Sequence, residues 1–160
     1  MKDIRMKILL IFLLLSGCTY HGTHDIIWKA NTVLQIETLV PKIEQALIII
    51  EDVEGQKAEP LINKTKEVLS LVKSSQEHVV YLDIDLYVLK ARSLYREAEN
   101  LVESNIGSYD QHQLFILSRV RQNLLDINRL ISNMDNNRAQ FILDSLEIIY
   151  RSVRLIGALK

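Results

Sequence analysis

Beyond residue 25, apolar side chains recur at steps of three and four along most of the chain. Ile36, Leu39, Ile43, Ala46, Ile50 and Val53 form one such row, a spacing that aligns them on one face of an α-helix. Val80, Ile84, Tyr87, Ala91, Leu94, Ala98 and Leu101 form a second row, and Leu117, Val120, Leu124, Ile127, Ile131 and Met134 a third. The fourth is Ala139, Ile142, Leu146, Ile149, Val153 and Ile156. A helix with one apolar face must cover it against a partner, so these rows predict helices packed on one another. The expected fold of residues 25–160 is all-α. It is an elongated antiparallel bundle of four long helices, or five if the second one divides.

Breakers place the boundaries. From Asp25 onward the only prolines and glycines are Pro41, Pro60, Gly55, Gly107 and Gly157, which is the mark of long helices. The first helix should run from about Asp25 to Glu54 and stop at Gly55. Pro41 falls inside it, removes one backbone donor and predicts a kink or break between Thr38 and Pro41. Pro60 should open the second helix, and nothing forces an end before Asn105 and Gly107. One helix of about 45 residues, about 68 Å long, is therefore expected. Ser74 with Glu77 is the capping box that would divide it. The third helix should begin near Asp110, with Gln113 three residues on, and end about Met134. Asn136 or Asn137 should then cap a fourth that runs to about Ala158. Val80, Leu82, Ile84, Leu86 and Val88 alternate as a strand would. They have no partner strand in the chain and the helical row runs through them, so helix is expected there too.

The first 25 residues read differently. Lys2, Arg5 and Lys7 precede the unbroken apolar run Ile8 to Leu15, which is followed by Ser16 and Gly17. Positive charge, a short apolar stretch and small residues follow one another in the order of a secretory signal, and the run is too short to span about 30 Å of hydrocarbon. Leu15, Ser16, Gly17 and Cys18 resemble the lipobox of bacterial lipoproteins. That resemblance implies removal of residues 1–17, diacylglycerol on the Cys18 sulfur and a further fatty acyl chain, such as palmitate, on the new N-terminus. Thr19 in place of an Asp after the cysteine implies, by the same resemblance, an address at the outer membrane on its periplasmic side. Residues 18–24 then form a short polar tether, and membrane lipid is the first expected partner. Two or more acyl chains anchor stably where one does not. The resemblance covers the signal alone and carries nothing about the body.

Charge narrows the partners further. The net charge is −1, and residues 18–160 alone carry −3. A mildly acidic body lacks the cationic surface that nucleic acid requires, so no nucleic-acid partner is expected. Residues 25–109 hold 14 acidic and 9 basic side chains, whereas 110–160 hold 5 and 7. With a single cysteine there is no internal disulfide framework.

Chemistry-bearing motifs are scarce. No Glu is followed by a His at the third position, as a di-metal bundle would need, and neither a zinc-protease pattern nor a phosphate loop occurs. His21 and His24 flank the tether with Asp25 beside them, while His78 and His112 fall near expected helix ends. Asp83 and Asp85, two apart on a helix, diverge by about 200° and cannot share a substrate. Glu97, Glu99 and Glu103 read as a wet acidic face near Arg92 and Arg96. No enzyme activity, cofactor or metal is expected. Tyr81 and Tyr95 share a helix face beside the main apolar row and are the candidate partner surface, since tyrosine supplies contact area with a polar tip. Trp28, ten residues past Cys18, suits either a bilayer boundary or the end of the bundle. The functional expectation is a lipid-anchored, non-catalytic protein that docks on another envelope component. The alternative is a ligand-binding module with an apolar pocket between helices.

Overall fold

The computed structural model describes residues 2–74, 82–104, 107–132, 134 and 137–159, with side chains described from residue 30 onward except at 52–57. Helical backbone covers Lys2–Ser74 (α1), Ile84–Ser104 (α2), Gln111–Ile131 (α3) and Arg138–Ile156 (α4). Among the described residues there is no strand. α1 is not one straight rod. Lys73 Nζ donates to Glu44 Oε1 at 2.8 Å, and Lys66 pairs with Glu51. A straight helix would hold positions 44 and 73 about 44 Å apart. The chain therefore turns back between Glu51 and Ala58, and α1 forms two antiparallel arms, 30–51 and 58–74. The reversal brackets Gly55, the residue expected to stop the first helix.

Pro41 lies inside the first arm, where helical backbone continues on both sides of it. Its ring deprives the Glu37 carbonyl of a donor, but Glu37 and Pro41 are both exposed, so water can satisfy that carbonyl. One expectation is corrected: the single helix expected over 60–105 is in fact two. The second arm ends at Ser74, and Leu82 and Asp83 lie outside helix before α2 begins. Asp83 Oδ1 accepts from the Leu86 amide at 3.0 Å, and the Asp83 carbonyl accepts from the Tyr87 amide at 2.9 Å. Asp83 is thus the cap of a new helix. Of the proposed dividing box, Ser74 Oγ instead donates to the Leu71 carbonyl at 2.9 Å, and Glu77 lies outside the described residues.

The helical backbone of α1 begins at Lys2 rather than near Asp25 and runs through Pro60, whereas the starts of α3 and α4 agree with the sequence. Asp110 and Gln113 make the reciprocal capping box of α3, with the Gln113 amide 2.8 Å from Asp110 Oδ1 and the Asp110 amide 3.0 Å from Gln113 Oε1. Asn137 caps α4 by accepting from the Gln140 amide at 3.1 Å.

Each rod runs antiparallel to the next. Lys90 Nζ reaches Glu67 Oε2 at 2.7 Å between α2 and the second arm, and Gln113 Nε2 donates to the Leu159 carbonyl at 3.3 Å, joining the start of α3 to the end of α4. α4 packs on both α3 and α1, which closes the ring. Five rods alternating up and down must close with one parallel pair, and that pair is the first arm with α4. Leu39 and Leu143 line one groove, and farther along Ile50 lies beside Gly157.

The core follows the predicted rows. Tyr87, Ala91, Leu94, Ala98 and Leu101 are all buried on α2, as are Leu117, Val120, Leu124 and Ile127 on α3. On the first arm the buried line is Ile36, Val40, Ile43, Leu47 and Ile50, with Leu39 and Ala46 flanking it. The second arm adds Leu61, Val68, Leu69 and Val72. Full burial of one such side chain contributes about 1.5–3 kcal/mol. Tyr87 is the largest fully buried side chain among the described residues. Its ring meets Phe141 edge to face at 5.9 Å, and its hydroxyl lies 2.5 Å from Ser145 Oγ. Ser145 spends its proton on the Ile142 carbonyl at 2.9 Å, so Tyr87 donates to Ser145. Burial pushes the Tyr87 phenol far above its ordinary range, partly offset by that hydrogen bond.

Candidate interaction surface

The bundle interior leaves little space. Its central cavity, between Leu47, Leu61, Thr65, Leu124, Ile149 and Ser152, amounts to about 10 Å³, room for one water at most. The two hydroxyls on its wall are already engaged with their own helices, Thr65 with the Leu61 carbonyl and Ser152 with the Ile148 carbonyl, each at 2.8 Å. No buried side-chain polar atom among the described residues lacks a partner.

Two grooves flank the first arm. The larger, about 650 Å³, runs between the two arms of α1. It is bridged by the Glu44–Lys73 and Glu51–Lys66 pairs, with Ile48 59% exposed on its edge. The smaller, about 300 Å³, lies between the first arm and α4, where Leu34, Thr38 and Lys42 face Leu143 and Glu147. The first arm carries Leu34, Ile48 and Ile49, three of the six large apolar side chains that stand exposed among the described residues. Leu86 and Leu89 on α2 and Phe115 on α3 are the others. Phe115 is covered on one face by the Arg119 guanidinium at 5.9 Å.

The site residues expected from the sequence scatter. Cys18, with Leu15, Ser16 and Gly17, precedes the described side chains, and so do His21, His24 and Trp28. Tyr81 and His78 lie outside the described residues. Tyr95 is half-buried rather than protruding, and its hydroxyl donates to Glu99 Oε1 at 3.0 Å. That bond, with a smaller contribution from burial, raises the phenol pKa, because ionising it would set a phenolate against a carboxylate. Tyr95 is therefore tied down within α2. His112 is exposed in the first turn of α3, and Asp83 and Asp85 are exposed at the start of α2. No three His, Cys, Asp or Glu side chains among the described residues converge as a metal site would require. The strongest electrostatic node is structural: Glu67 sits between Lys90 at 2.7 Å and Lys64 at 3.2 Å. Hydrogen bonds from Lys90 and then Lys64 hold its carboxyl below the ordinary carboxylate value.

The first arm is thus the surface the structure singles out, whereas the sequence pointed to the helix spanning 60–105. The signal was available in "VLQIETLVPKIEQALIII", which holds more large apolar residues than one helical face can bury. No helix among the described residues is long and apolar enough to cross a membrane. No protein-family model, curated protein or solved structure matches this chain.

Proposed function

We infer that the chain is a lipid-anchored interaction protein of the bacterial envelope. Acyl chains on Cys18 hold it at the outer membrane, on the periplasmic side, and the helical body docks on another envelope component without catalysing a reaction. The address rests on the lipobox-like Leu15, Ser16, Gly17 and Cys18 behind a signal-like run. The docking role rests on one observation: the first arm buries a single narrow row of side chains and still exposes Leu34, Ile48 and Ile49. Exposed apolar side chains gathered on one element mark contact surfaces more often than scattered ones do. The central cavity of about 10 Å³ is too small for the alternative of a ligand held inside the bundle, since small-molecule sites enclose about 300–1,000 Å³; a ligand would have to sit in the groove of about 650 Å³ between the two arms.

The test has two arms. Mass analysis of the mature protein should find Cys18 as the first residue, carrying acyl chains, and Cys18→Ala should move the protein out of the membrane fraction. A photo-crosslinker at Ile48 should give one reproducible heavier adduct in cells, which Cys18→Ala abolishes and a crosslinker at Arg92 does not reproduce. An unmodified Cys18 thiol would overturn the address. Equal adducts from Ile48 and Arg92, or none, would overturn the docking role.

A further inference from the structure

We propose that the seam between the first arm of α1 and α4 is the docking groove, and that its occupant is an amphipathic helix of another protein with acidic flanks. This rests on the docking role inferred above and assigns it a face and a partner chemistry. The two helices run parallel, so their outward rows keep company over their whole length. On the arm, Thr38 and Lys42 follow Leu34 at steps of four, and Ile49 comes seven residues later, a spacing that stays on one strip. On α4, Leu143, Glu147, Tyr150 and Arg154 step by four, three and four on the strip that faces it. Leu34, Thr38 and Lys42 line the lower groove with Leu143 and Glu147. At the upper end a methyl placed on Gly157 would sit 3.7 Å from Ile50, so the helices are still adjacent there. From Leu34 to Ile49 the strip covers about 22 Å, the length of four turns of a docked helix. Its apolar residues are open, with Leu34 at 62% and Ile49 at 58% exposure.

Charge selects the partner. In the groove between the two arms both lysines have an anion, because Glu44 takes Lys73 and Glu51 takes Lys66. On α4, Glu147 takes Arg151 at 3.3 Å. Lys42 on one bank of the seam and Arg154 on the other are exposed, and neither has an ion-pair partner among the described residues. Arg154 is held by stacking over the Tyr150 ring at 5.9 Å. The seam thus has open apolar residues at its two ends, Leu34 and Ile49, exposed Thr38, Lys42 and Gln45 between them, and one cation on each bank without an ion pair among the described residues. The acidic flanks of an amphipathic helix complement those cations.

The probe is a labelled 18-residue helical peptide with leucine at i, i+3, i+4 and i+7 and glutamate on both flanks, compared with the same peptide flanked by lysine. Each is titrated onto the full-length mature protein held in phosphatidylcholine nanodiscs. The glutamate peptide should bind about tenfold more tightly than the lysine peptide, and Leu34→Gln or Ile49→Gln should weaken both. The double variant Lys42→Glu/Arg154→Glu should reverse the preference. Equal binding of the two peptides, an unreversed preference in the double variant, or protein dimers formed through the seam would each overturn the proposal. If the peptides fail these criteria while Ile48 still crosslinks to a partner in cells, the seam is wrong and the docking role stands. If the preference reverses but crosslinkers at neither Ile48 nor Ile49 give an adduct in cells, the groove is right and the docking role fails.

Discussion

At the scale of single residues, the bundle is most exposed to loss where a polar group is buried with one partner. Tyr87 is fully buried, and its hydroxyl has Ser145 as its partner. The two sides of this bond are not equivalent. Tyr87→Phe removes the donor and leaves Ser145 still bonded to the Ile142 carbonyl, so the loss should be about 1 kcal/mol, the net worth of one hydrogen bond. Ser145→Ala strands a buried phenol and should cost more, about 1–3 kcal/mol. Chemical denaturation of both variants and of the double variant checks this: Ser145→Ala should be the more damaging, and Tyr87→Phe should rescue part of its loss. Equal losses would mean that the phenol finds another partner. The sequence placed Tyr87 correctly in an apolar row, but Ser145 lies 58 residues away, and periodicity has no means of joining a hydroxyl to a partner on another helix. Tyr95 fails for a different reason. Its position on the helix was legible, and the bond to Glu99 four residues on that ties it down is the kind of i,i+4 contact a sequence can suggest but which Arg92 and Arg96 nearby left as one option among several.

At the scale of elements, caps were read well where a polar residue follows a breaker and poorly where it interrupts an apolar run. Asp110 and Gln113 come after Gly107 and were recognisable. Asp83 sits inside "VVYLDIDLYVL", where the rows on either side suggested one continuous helix, and it caps a new one. The second arm was missed as a separate apolar face because its row, Leu61, Thr65, Val68 and Val72, includes a threonine and was absorbed into a longer helix. Asp110→Ala and Asp83→Ala should each cost about 1 kcal/mol in unfolding free energy, and Asp83→Asn should retain most of the stability because asparagine also accepts from the helix amides. Glu67 joins the second arm to α2, and its lowered pKa fixes the sign of its pH dependence. A carboxyl held below its unfolded value contributes stability above that value, which is lost as pH falls through the folded pKa. Urea midpoints should therefore fall from about pH 5 downward, and Glu67→Gln should flatten part of that fall. An identical acid limb in the variant would show that the Lys64 and Lys90 pairs are too solvated to matter.

At the scale of the whole molecule, the all-α bundle was legible because every helix has an apolar face that only other helices can cover, and composition leaves no competing architecture. The closing parallel contact was not, since it follows from the number of rods and the second helix was read as one. The first arm is held less firmly than α4. α4 buries nine of its 19 residues, including Phe141 and Ile149, and is held by neighbours on both sides. The first arm, over 22 positions, buries the line Ile36, Val40, Ile43, Leu47 and Ile50 with Thr32, and leaves three large apolar residues in water. Local opening follows the density of buried contacts. Native-state hydrogen exchange should therefore show amides between Ile36 and Ile50 opening at lower free energy than those between Ile142 and Val153, in a step that precedes global unfolding. The acid-flanked peptide should slow exchange in that arm first, because a helix seated in the seam supplies the cover the ring does not. Uniform protection across both segments would mean that the arm is as firmly held as the rest, and that its exposed leucine and isoleucines carry no stability penalty for a partner to relieve.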